Sequence, residues 1–162
     1  MHPRQFSVHI TTDSSSRQSE AMFRALVTAL LQHPLGWANQ GYTFNIVPSA
    51  AAATHPLITI TLTPQHVLDR KFPEFATERL SLCNMATREI YLNEQRWMGV
   101  YDDNKSNLSL PAYRAYMVQH EVGHALGFGH TKCKQGGAKC PIMVQQTKGT
   151  GGCAPYPFPS SP

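Results

Sequence analysis

The sequence predicts an α+β fold: a twisted mixed sheet carrying one packing helix and one buried helix, closed by a short irregular C-terminal subdomain. Three observations carry that expectation. Residues 5–11 and 57–63 alternate apolar and polar side chains, the period-two pattern of half-buried strands. Residues 17–32 place Met22, Phe23, Leu26, Val27, Leu30 and Leu31 at three- and four-residue steps, which gives a helix one apolar face. Beyond His130 the chain turns rich in Gly, Pro and Lys, and no long periodic segment follows.

At 162 residues the chain is expected to form a single domain with its own core. Residues 1–130 would make the larger subdomain, with the sheet and the buried helix, and residues 131–162 the smaller one. A hydrophobic content of 41% with 15% charged residues argues against bulk disorder. The formal charge of +4 is spread over scattered Lys and Arg rather than a stripe, so no nucleic-acid partner is expected. No stretch approaches the ~20 apolar residues of a membrane span, and Met1 to Ser7 lacks the apolar centre of a signal peptide. The chain as it stands is expected to be a soluble monomer, its targeting segment removed or never present. Cys83, Cys133, Cys140 and Cys153 are an even set, three of them in the loop-rich end, which points to two disulfides and an oxidising compartment. Three pairings are open. A second zinc site on Cys133 and Cys140 is disfavoured, because their spacing is not that of a Cys-x-x-Cys knuckle.

Taken in order, the first strand at 5–11 leads to the helix at 17–32, which Pro34 stops. Residues 36–40 form a turn in which Trp37 is expected to anchor the end of the helix. A second strand at 42–47, an alanine-rich loop at 49–56 and a third strand at 57–63 follow. A short helix fits 65–69, and the chain to 77 reads as an irregular excursion. Residues 80–85 and 88–92 read as two short strands about a turn, one of them a candidate for pairing with an extended substrate. Residues 99–108 are oxygen-rich but lack the spacing and closing Glu of an EF-hand, so a solvated loop is expected. Ser109 and Pro111 then open the buried helix. On it Tyr113, Tyr116 and Met117 share one side, while Ala115, Val118, Val122, Ala125 and Leu126 face elsewhere. Residues 135–139 are a loop, and the proline-rich last nine residues are expected to run over the surface.

The chemistry is concentrated in His120-Glu121-Val122-Gly123-His124-Ala125-Leu126-Gly127-Phe128-Gly129-His130. On a helix, residues four apart stand one turn above each other, so His120 and His124 can offer two imidazoles to one ion. Glu121 beside them suits a general base better than a ligand. Gly127 can take the left-handed conformation that ends a helix, which would let His130 return as a third ligand. Three imidazoles leave one tetrahedral position open, the mark of a catalytic rather than a structural zinc. At this chain's own composition the five fixed residues would arise by chance in on the order of one chain in tens of thousands.

This stretch resembles the extended zinc motif of the metzincin metallopeptidases, and Met143 resembles the methionine of their Met-turn beneath the metal. A closer resemblance is to a family of uncharacterised, mostly actinobacterial, predicted secreted metzincin-like proteins. It rests on Tyr113-Arg114-Ala115-Tyr116, the zinc stretch, Pro141-Ile142-Met143, Gln145-Gln146-Thr147-Lys148-Gly149 and Gly152-Cys153, with His33 to Trp37 and Asn93 to Trp97. Snapalysin-type small neutral proteases are similar in layout and in the ending around Cys153, Pro155 and Pro157, but carry Asp where this chain has His130. The resemblance implies a metzincin-like zincin fold, one catalytic Zn2+, a peptide or protein substrate, and a secreted or cell-envelope location.

The expected activity is therefore zinc-dependent endopeptidase: zinc on His120, His124 and His130 activates a water, and Glu121 accepts its proton. Met143 would be a hydrophobic floor, and Val144, Gln145, Gln146 and Thr147 the pocket for the residue after the scissile bond. Where some metzincins place a Tyr two residues after that methionine this chain has Gln145, and Gln145, Gln146, Tyr156 or a backbone amide is left to stabilise the oxyanion. The alternative is a zinc-containing module that binds protein without cutting it.

Overall fold

The computed structural model describes residues 3–162; the reading of Met1 and His2 as part of a leader-free N-terminus lies outside them. Five strands, β1 (Gln5–Thr12), β2 (Thr43–Ile46), β3 (Leu57–Thr63), β4 (Leu82–Asn84) and β5 (Glu89–Asn93), form one sheet in the order β2-β1-β3-β5-β4. All neighbours pair in parallel except β4, which runs antiparallel to β5 and forms an edge. The architecture is mixed α/β with a mostly parallel sheet. Alternation sets its register: Val8 lies beside Ile58, Ile10 beside Ile60, and Ile60 and Leu62 beside Ile90 and Leu92. These side chains are at most 1% exposed and build the core.

Two helices pack against that core and against each other, α1 (Glu20–Leu31) and α4 (Leu110–Ala125); the shorter α2 (Gln65–Lys71) and α3 (Glu94–Trp97) lie between them in sequence. α1 starts at Glu20 rather than residue 17 because Ser19 takes the N-cap, its Oγ accepting from the Met22 amide. It buries Phe23, Val27, Leu30 and Leu31, whereas Met22 and Leu26 face solvent, so the apolar stripe in the sequence is wider than the packed face. α4 begins where expected, capped by Ser109 with Pro111 in its first turn, and is buried along most of its length. The Gln119 side chain donates to the Leu30 carbonyl at 2.7 Å, and Trp37 Nε1 donates to the Gln119 carbonyl at 2.8 Å. Trp37, 3% exposed, thus anchors α1 to α4.

Elsewhere the structure departs from the sequence reading. α2 runs two residues beyond the expected end. α3 was not expected: four residues are too few to show a period, and only the Asn93 side chain, capping the Arg96 amide, marks its start. Residues 99–108 form the expected, largely exposed loop, tied down where buried Arg96 donates to both carboxylate oxygens of Asp103, at 2.8 and 3.2 Å. The C-terminal segment has only two isolated bridges and a short 3-10 turn, Gln146–Lys148. Its tail runs over the surface but is docked: Phe158 stacks on His33 at 4.2 Å, and the Ser160 amide donates to the Leu35 carbonyl.

The cysteines require a correction. One disulfide joins Cys133 to Cys153, while Cys83 and Cys140 are free. They cannot meet, because Cys83 packs on the main core at β4 and Cys140 in a separate cluster with Val144 and Cys153. Cys133 belongs to the disulfide and supplies no second zinc site.

Peptide mapping of the unreduced protein should recover one crosslinked pair, Cys133 with Cys153, and two alkylatable thiols in the denatured chain. Because the bridge closes a loop of 20 residues, replacing both partners by Ala should cost about 3 kcal/mol of stability in chemical denaturation. A crosslink involving Cys83, or an unchanged midpoint, would contradict this.

Candidate metal centre

The site is built by the end of α4. Leu126 caps the helix and Gly127 follows at φ +105°. The Gly127 amide donates to the His124 carbonyl and the Phe128 amide to the Gly123 carbonyl, both at 2.9 Å, which is a Schellman closure. A Cβ at Gly127 would meet nothing within 4 Å, so the backbone angle, not space, requires glycine here. The turn reverses the chain and returns His130 to the last turn of α4.

The three rings converge. Ring centroids of His120, His124 and His130 lie 4.7–5.3 Å apart, and one nitrogen from each falls within 4.8 Å of the others. His124 Nε2 and His130 Nε2 are 3.1 Å apart. His120 Nδ1 lies 2.8 Å from the Ile142 carbonyl and His124 Nδ1 2.8 Å from the Phe128 carbonyl. A carbonyl only accepts, so both Nδ1 atoms carry the proton and both Nε2 atoms present a lone pair. Burial lowers the pKa of all three imidazoles, that of His120 to about 3. They are therefore neutral donors. Nitrogens at ~2.0–2.1 Å from a tetrahedral zinc would be ~3.3 Å from one another. The His124–His130 pair has that spacing, and three neutral imidazoles are the chemistry such an ion takes.

Glu121, 7% exposed, lines the same cleft, and burial pushes its carboxyl up to about 8. Cys83 on β4 also lines the cleft; burial, and then the charge of Glu121, push its thiol up to about 12. The cleft holds about 280 Å³ between α4 on one side, residues 80–83 with Met85 on another, and Gln145, Thr147 and Lys148 on a third.

Beneath α4, Met143 is 5% exposed. A Cβ at Gly123 would collide with its sulfur and lie 2.9 Å from Trp37 Cζ2. The two unspecified positions of the histidine motif are therefore not equivalent: Gly123 is where Met143 and Trp37 press against the helix. Its signal in the sequence is a glycine inside a strong helical pattern, which marks close approach.

Of the four expected wall residues, Gln145 and Thr147 face the cleft, while Val144 and Gln146 do not. Val144 packs beside Cys140 and Cys153. The Gln146 side chain exchanges two hydrogen bonds with the Tyr156 backbone. Tyr156 gives its hydroxyl to the Ser160 carbonyl. Neither Gln146 nor Tyr156 is then free to meet an oxyanion, which leaves Gln145 among the expected side chains. Sequence reasoning missed the carbonyls of Ile142 and Phe128, which orient the rings and carry no side-chain signal.

These features define a mixed α/β domain with a three-histidine cluster beside a buried carboxyl in a cleft. Residues 4–158 match the family described as protein of unknown function (DUF3152), and the chain belongs to it. No curated protein and no solved structure matches the chain.

Gly123→Ala should destabilise the protein by about 1–3 kcal/mol, read by thermal unfolding, because the added methyl must displace Met143. In chelator-treated protein, stability should fall on both sides of mildly acidic pH. The folded state resists protonating His120, so stability is lost as pH drops from 6.5 towards about 3. Glu121 is held protonated between 4.5 and about 8, so stability is lost as pH rises through that window. Glu121→Gln should abolish the alkaline limb and leave the acid limb; parallel profiles for both proteins would contradict the assignment.

Proposed function

We propose that this chain is a zinc-dependent endopeptidase of the metzincin type. The observation that supports it most is the convergence of three neutral imidazoles within 4.8 Å beside a cleft-facing buried carboxyl. His120, His124 and His130 would hold one Zn2+. When bound, zinc would act as a Lewis acid on a peptide carbonyl and lower the pKa of a water in the site. Met143 fits the place of a Met-turn methionine.

Glu121 takes the proton of the attacking water and returns it to the leaving amine. Burial keeps this carboxyl protonated in the metal-free protein, and the charge of a bound cation would favour the carboxylate form that accepts the proton. Gln145 stands in the cleft as a donor for the developing oxyanion. β4 is an edge strand of the sheet and borders the cleft, so an extended peptide can add to it through main-chain hydrogen bonds. Between the two short strands, this selects β4 over the internal β5.

The Cys133–Cys153 disulfide supports an oxidising, secreted or cell-envelope setting. Among the described residues no helix is long and apolar enough to cross a membrane.

Incubating zinc-loaded protein with a diverse peptide mixture, with and without chelator, and reading fragments by mass spectrometry tests the proposal. Wild type should cut and chelator should stop it. Glu121→Ala should keep its zinc while hydrolysis falls at least about a hundredfold, and His130→Ala should bind zinc more weakly. Undiminished hydrolysis in Glu121→Ala would reject the base. A zinc-loaded wild type that cuts nothing would favour a binding module instead.

A further inference from the structure

The cleft wall after Met143 is not a plain strand. It bends at Gln145, whose φ of −74° and ψ of 74° form an inverse γ-turn. The turn is closed by the Gln146 amide donating to the Val144 carbonyl at 2.8 Å. The Tyr116 hydroxyl sits on the same two groups, donating to the Val144 carbonyl at 3.1 Å and accepting from the Gln146 amide at 2.9 Å. One residue further on, the Tyr113 hydroxyl bonds Thr147 Oγ1 at 2.8 Å. The two phenol rings stack 5.9 Å apart along α4, and the Tyr116 ring lies 5.2 Å from that of His120. Besides the His120 bond to Ile142, these are the hydrogen bonds that join α4 to residues 142–148 among the described residues.

We infer that the Tyr116 hydroxyl, seconded by that of Tyr113, is a positioning group for substrate: it fixes the γ-turn that aims Gln145 into the cleft and sets the distance between α4 and the wall. The inference rests on the peptidase reading for its consequence, since the side chain following the scissile bond would enter between these two surfaces. The phenol bonds both ends of the γ-turn hydrogen bond at once and so reinforces it. A phenylalanine would fill the same volume and leave the core intact. Only the anchoring of the wall depends on the oxygen.

The test is Tyr116→Phe in the zinc-loaded full chain, with Tyr113→Phe as a second variant that removes only the hydroxyl bonded to Thr147. Amide hydrogen exchange at Gln146 should accelerate about tenfold in Tyr116→Phe, with zinc content unchanged. In a peptide series differing only in the residue after the scissile bond, the spread of kcat/KM between the best and worst members should shrink by about tenfold, through KM, and less in Tyr113→Phe. Unchanged exchange at Gln146 overturns the clamp. Faster exchange with unchanged selectivity shows a structural bond alone and overturns the positioning role. Should the wild type cut no peptide, the peptidase reading falls by itself, and the exchange rate of Gln146 still decides whether the hydroxyl holds the turn.

Discussion

Three imidazole rings can aim one nitrogen each at a common point only if the chain that carries them is reversed within six residues and the rings are prevented from turning away. Here the reversal is the left-handed backbone of Gly127, and the restraint is a pair of carbonyls, Ile142 and Phe128, that accept from the far side of His120 and His124. The Schellman closure that ends α4 also delivers the Phe128 carbonyl, so stopping the helix and orienting the His124 ring are one event. The Ile142 carbonyl immediately precedes Met143, which presses on Gly123 one turn below the first histidine. The contact on Gly123 and the orientation of the first histidine thus come from adjacent residues of one segment.

Burial does the electrostatic work. α4 is enclosed by the sheet, α1 and the C-terminal segment, so the imidazoles are held neutral and the Glu121 carboxyl is held high. Both shifts arise chiefly from desolvation, which penalises the charged form of either group. One environment therefore leaves the imidazole nitrogens unprotonated and, without metal, keeps the carboxyl protonated. The cost is a polar helix in a core, and it is offset by bonds such as those of Gln119 and Trp37, which tie that helix to α1.

Much of this was legible from residue order. The alternation in residues 57–63 marked β3 to the residue, and the histidine spacing with Gly127 marked the bend. What could not be read has physical reasons. α3 is shorter than one period of the pattern that would have revealed it. Val144 and Gln146 were grouped with Gln145 and Thr147 because proximity to Met143 does not say which way each side chain points; the γ-turn at Gln145 and the 3-10 turn after it leave Gln145 and Thr147 in the cleft and Val144 and Gln146 outside it. The second disulfide was inferred from an even count, yet Cys83 and Cys140 belong to different clusters. Carbonyl partners leave no mark in a sequence at all.

The charge distribution follows the same division. All ten acidic residues lie in residues 1–130 with ten of the fourteen Lys and Arg, and residues 131–162 carry the remaining four lysines and no acid. The overall charge of +4 therefore belongs to the small subdomain alone, on the side of the cleft that ends in Lys148.

X-ray absorption at the zinc edge of protein loaded with one equivalent of metal tests the shared-ligand geometry most directly. The account predicts a first shell of nitrogen and oxygen at ~2.0–2.1 Å with imidazole scattering from three histidines and no sulfur. A shell containing sulfur at ~2.3 Å, or one with fewer than three imidazoles, would contradict it.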